Sequence, residues 1–87
     1  MAEPIGYRPV FSDAAVEFFS SVTRRRQRKL LDRAGELAAD PFLSPDYHSI
    51  DAEGRKVGHL LIDDFVFTYW VDHAVRRVMI TEIDDAE

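Results

Sequence analysis

Apolar residues gather in three runs toward the C-terminal end of the chain, with two short polar breaks between them. The stretch from Gly58 to Ile83 is interrupted at Asp63-Asp64 and again at Asp72-His73-Ala74. Runs of this length, rich in Val, Ile, Phe, Tyr and Trp, predict consecutive antiparallel strands joined by hairpins. These strands are expected over residues 55–62, 65–71 and 75–83. In the middle run, alternation puts Phe65, Phe67, Tyr69 and Val71 on one face and Val66, Thr68 and Trp70 on the other. In the run before it, Leu60 and Ile62 share the buried face, while His59 and Leu61 share the opposite one.

The N-terminal half has a different period. Residues 5–11 predict a short first strand, which Pro9 confines to an edge because it lacks a donor N–H. Ser12 is a good N-cap and Asp13 a favourable first-turn charge for a helix running to about residue 21. Its inward positions are Ala15, Val16, Phe19 and Val22. The Ser-Ser-Val-Thr stretch at 20–23 predicts a break, with Thr23 capping a second helix. That helix turns Leu30, Leu31, Ala34, Leu37 and Ala38 inward and its arginines outward. Gly35 costs about 1 kcal/mol there relative to alanine, which suggests close packing at that point. Asp40-Pro41 ends the helix, since the residue before proline is pushed out of helical geometry. A loop over 42–46, a strand over 47–51 and a turn at Ala52-Glu53-Gly54 lead into the apolar runs. The acidic residues 84–87 are expected to fray. This order predicts an α+β fold, with a short N-terminal strand and a helical hairpin packed on one face of a mainly antiparallel sheet of four or five strands.

Composition narrows the picture. Eighty-seven residues, 46% of them hydrophobic, suit one domain over 1–87 with one modest core. The absence of cysteine rules out disulfides and thiolate chemistry and suits a reducing cytosol. The Met-Ala-Glu-Pro start carries no signal-peptide pattern, and no apolar run approaches the roughly 18 residues of a membrane span. Charge is unevenly spread around a net −5. Six of the eleven basic residues fall between Arg24 and Arg33, whereas from Asp40 onward eleven acidic residues face four basic ones. Net repulsion from phosphate argues against whole-protein attraction to nucleic acid and leaves only local basic patches.

The order of elements carries a resemblance. A helical hairpin closes in Leu37-Ala38-Ala39-Asp40-Pro41, a glycine-containing strand follows, and an aromatic strand from Phe65 ends in Tyr69-Trp70-Val71-Asp72 before a last strand. Over roughly residues 7–83 this resembles the RelE/ParE toxin family. The resemblance implies a toxin of a type II toxin–antitoxin module, neutralised by a wrapping antitoxin segment. Its RelE branch cuts mRNA on the ribosome, and its ParE branch poisons DNA gyrase. A cognate antitoxin is thus the expected partner, ribosome and mRNA or gyrase the expected target, and the cytoplasm the expected location. No membrane is implied, and a homodimer is compatible. The sequence departs from the nuclease pattern in two places. Val66 stands where family nucleases carry an arginine, and Asp84, Asp85 and Glu87 replace a basic or aromatic cluster.

If the chain is an enzyme, it is a metal-independent endoribonuclease, and such chemistry needs an acid/base pair and a cation at the phosphate. His59 is the acid/base candidate, and Arg55 and Lys56 are the phosphate contacts. Trp70 and Leu61 are candidates to receive a partner on the open sheet face, Trp70 otherwise packing on His59, Leu61 or Val78. Arg25 and Arg28 in the basic helix are candidates to receive an acidic antitoxin segment or ribosomal RNA. His73 reads as a turn residue, and His48 says little. The histidine spacings of 11 and 14 residues match no familiar ligand pattern, so neither a metal nor a cofactor is expected.

Overall fold

A computed structural model describes residues 6–86. Met1 to Ile5, which include the start of the expected first strand, and Glu87 of the tail lie outside the described residues. The elements run β1 (Arg8–Phe11), α1 (Asp13–Ser21), α2 (Arg24–Ala39), β2 (Tyr47–Ile50), β3 (Lys56–Ile62), β4 (Phe65–Asp72) and β5 (Arg77–Asp85). The strands form one sheet in the order β1-β5-β4-β3-β2. β1 is parallel to β5, and every other pair is antiparallel. Pro9 accordingly lies in an edge strand, where its missing N–H costs no ladder bond. The two helices cover one face of the sheet, and the other face is open.

Capping explains the helix boundaries. The Ser12 hydroxyl accepts from the Ala15 N–H (3.2 Å) and donates to the Thr81 carbonyl (2.7 Å), so the cap also ties α1 to β5. The Thr23 hydroxyl accepts from the Arg26 N–H and starts α2 after the break at Val22. The core joins Ala15, Leu30, Ala34, Leu37 and Ala38 of the helices to Leu60, Phe65, Phe67, Tyr69, Val78, Ile80 and Ile83 of the sheet.

Several expectations are corrected. Val16 and Leu31 are 48% and 51% exposed. The inward stripes run through Ala15 with Phe18 and Phe19, and through Leu30 with Ala34 and Leu37, which leaves their sequence neighbours off the stripe. Val16 and Leu31 instead line an open apolar groove of about 240 Å³ with Phe11 and Phe19. Gly35 is exposed, and no atom lies within 4 Å of where its Cβ would be, so close packing is not its reason. Close packing occurs at Gly58, where a Cβ would lie 2.7 Å from Cγ of Pro45.

β5 begins and ends two residues later than expected. The Asp72 carboxylate accepts from the Ala74 N–H (3.1 Å), and Arg76 takes the left-handed conformation at φ 56°. The turn therefore holds Val75, and Asp84 and Asp85 pair with Val66 and Phe65 instead of fraying. A bulge opposite Thr68 and Tyr69 shifts the register at Thr81, which is why Ile80 and Ile83 both reach the core despite their odd spacing. The same register places Val78 among the covered residues, so it is not a neighbour of Trp70 on the open face.

Candidate functional site on the open sheet face

Strand pairing lays the open face out in three rows. One holds Leu61, Val66 and Asp84, and the next holds Tyr47, His59, Thr68 and Glu82. A third contains Ser49 beside Val57, and Trp70 beside Met79.

His59 is the most constrained residue on this face. Its Nε2 lies 2.6 Å from the Ser49 hydroxyl, and its Nδ1 lies 3.1 Å from the Thr68 hydroxyl. The imidazole stacks on Tyr47 with 4.4 Å between centroids and 8° between planes. A neutral imidazole donates from one nitrogen and accepts at the other, and either hydroxyl can serve either role. The result is a Ser49–His59–Thr68 chain across three strands, able to relay a proton along the face. It also holds both ring nitrogens, so His59 is positioned but already partnered. Ser49, Tyr47 and Thr68 were not among the sequence candidates. They become neighbours of His59 only through the register of the four-residue strand β2, which the sequence pattern does not encode.

The structure separates the three candidate catalytic residues. Arg55 precedes β3 and lays its guanidinium over the Trp70 ring, 4.2 Å from the centroid, with Nη1 donating to Asp51 at 3.5 Å. This stack of an exposed arginine covers one face of the half-buried Trp70 ring. Lys56 lies one residue further and so points to the other side of the strand, into a cleft with Gly58 and His48. His59 and Arg55 thus belong to the open face and Lys56 does not. Arg55 nonetheless borders the same cleft as Lys56, and His59 does not.

The charge of the open face follows from the rows. Val66 faces Asp84, and Thr68 faces Glu82. The carboxylate of Asp46 accepts from the Leu61 N–H at 2.8 Å. Leu61 itself is 56% exposed. Of the basic helix, Arg26 is committed to Asp85 and to the Phe65 ring, 4.7 Å away. Arg33 binds Asp63 (2.6 Å) and Glu36, and these hydrogen bonds, Asp63 first, raise its guanidinium pKa above the ordinary value. Arg25 and Arg28 are exposed and have no ion pair among the described residues. The described residues contain no group of three or more His, Cys, Asp or Glu placed to hold a metal ion.

Solved structures with this arrangement exist. The RelBE2 toxin–antitoxin complex of Mycobacterium tuberculosis superposes with a TM-score of 0.73 at 17% identity, covering 93% of this chain and 99% of that one. The chain has the RelE fold. The archaeal RelE–RelB complex of Pyrococcus horikoshii matches with a TM-score of 0.71 at 14% identity, over 94% of this chain and 97% of that one. The isolated RelE toxin of E. coli matches with a TM-score of 0.70 at 14% identity, over 93% and 85%. No protein-family model and no curated protein matches the sequence. On the RelE fold the open face is the broad surface that the helices leave uncovered. Among the described residues, no helix is long and apolar enough to cross a membrane.

Proposed function

We propose that this chain is the toxin-like component of a type II toxin–antitoxin module, acting in the cytoplasm and neutralised by a cognate antitoxin polypeptide. The observation that carries the reading is the RelE fold over more than nine-tenths of the chain, shared with structures that include two RelB–RelE complexes. Its action would be inhibition of translation or growth. The charge of the open face favours binding over cleavage as the mode. Val66, Asp84, Glu82 and Asp46 surround His59 where an RNA-cleaving face needs cations. The partner surface combines the exposed Leu61 and half-buried Trp70 of the sheet with Arg25 and Arg28 of α2. Exposed apolar residues on one face and unpaired cations on the helix behind it suit an amphipathic, acidic polypeptide that wraps the chain.

The test is inducible expression in a bacterial host, with and without the product of the neighbouring gene. Growth arrest relieved by that product is expected, together with a stable complex weakened by Leu61→Ser and by Arg25→Ala with Arg28→Ala. Unimpaired growth and no complex would overturn the reading.

A further inference from the structure

Beyond the C-terminal end of α2 lies a cleft of about 300 Å³, bordered by Arg55 and Trp70 as well as by Lys56 and Gly58. Lys56, Arg55, His48 and His73 line it, and no carboxylate does. In a chain of net charge −5, that is the reverse of the average surface. Lys56 is exposed and has no ion pair among the described residues. Arg55 is held over Trp70 by its cation–π contact, and its guanidinium lies 3.5 Å from Asp51, whose carboxylate also accepts the Arg55 backbone N–H at 2.8 Å. His73 is fixed by Tyr7, whose hydroxyl lies 2.8 Å from Nδ1, and by stacking on Phe42, and its Nε2 makes no hydrogen bond among the described residues.

The lining also has an apolar part. Pro45 packs directly on Gly58, and Leu43 adds an exposed aliphatic surface. Cations and apolar surface in one cleft suit a ligand with an anionic head and a planar apolar body. The volume is at the small end of the roughly 300–1,000 Å³ typical of ligand sites, which limits the body to one ring system. Charge-assisted hydrogen bonds from a lysine and an arginine select phosphate over a neutral head. We propose that this cleft binds a phosphate monoester the size of a mononucleotide, either free or as the phosphorylated end of an RNA strand. The site takes in Arg55, Lys56 and the Trp70 edge of the proposed partner surface, but neither His59 nor Leu61.

The test is an NMR titration of the full chain with adenosine monophosphate, adenosine, inorganic phosphate and a 5′-phosphorylated RNA trinucleotide. Adenosine monophosphate should move the amides of Lys56, Gly58, Val71 and His73. Adenosine and inorganic phosphate should each bind more weakly by about tenfold or more, since each offers one half of the contact. Lys56→Ala should weaken the nucleotide by about tenfold or more, whereas Lys29→Ala, the same charge change on α2, should not. Both trinucleotide outcomes support the site. Equal affinity at the cleft assigns an RNA end, and weaker binding assigns a free nucleotide. Absence of shifts at millimolar nucleotide, inorganic phosphate binding as tightly as the nucleotide, or equal losses from Lys56→Ala and Lys29→Ala would each overturn the proposal.

Discussion

Tyr69 sits at the centre of the covered face with its hydroxyl buried and without a hydrogen-bond partner among the described residues. Burial first, and then the carboxylates of Asp40 and Asp46, push its ionisation above the ordinary tyrosine value. The folded chain therefore holds the phenolic proton more tightly than the unfolded chain. The resulting stability is complete below the unfolded value near ~10 and is lost as pH rises through the raised folded value. Tyr69→Phe should abolish that alkaline loss. At neutral pH it should leave stability unchanged or raise it by about 1 kcal/mol, because an unsatisfied buried hydroxyl is removed. Urea melts at neutral and alkaline pH measure both effects, and a clear loss at neutral pH would mean the hydroxyl is partnered. Gly58 gives the opposite expectation. A Cβ there meets the ring of Pro45 at 2.7 and 2.9 Å, so Gly58→Ala should cost about 1–3 kcal/mol in the same melts. An unchanged midpoint would show that the Pro45 loop yields freely. Alternation along β3 was enough to place His59 on the open face. Its hydroxyl partners and the fit of Gly58 to Pro45 were not legible, because both depend on residues brought in from β2 and the preceding loop.

The elements themselves are held by capping, periodicity and turn chemistry. Leu37 is buried on the inward stripe of α2, in one core with Phe67 and Tyr69 of the sheet. Leu37→Ala should therefore destabilise by about 2–5 kcal/mol, and a thermal melt unchanged by it would contradict this packing. Ser12 and Thr23 mark both helix starts in the sequence, and the structure puts the caps there. Element boundaries slipped where a side chain in a turn intervened. Asp72 and the left-handed Arg76 extend the last hairpin turn, so β5 carries Asp84 and Asp85 in its ladder and ion-pairs Asp85 with Arg26. The residues that read as a frayed acidic tail thus tie the end of the sheet to α2. Such an exposed pair contributes little stability but orients the helix start.

For the whole molecule, the sheet is covered on one side only, and the charge of the open side bears on catalysis. Metal-free cleavage of RNA needs a cation where charge develops on the phosphate, and losing one such contact costs roughly 10²–10³ in rate. Val66 faces Asp84, and His59 has both ring nitrogens engaged by hydroxyls. Purified protein should therefore cleave a reporter mRNA on ribosomes poorly, and His59→Ala should change that residual rate little. Rapid cleavage abolished by His59→Ala would show that the hydroxyl chain is a working acid/base relay. The α+β class, the order of elements, the helical hairpin and the inward face of the aromatic strand were legible from residue pattern alone. Period, caps and turn residues are local, and each is written within a few positions of where it acts. Long-range pairing alone made β1 join β5 in parallel, let a bulge bring Ile80 and Ile83 to one face, and left His59 outside the cleft that Arg55 and Lys56 line. Those outcomes rest on pairing register between distant segments, where a shift of one residue exchanges the two faces of a strand.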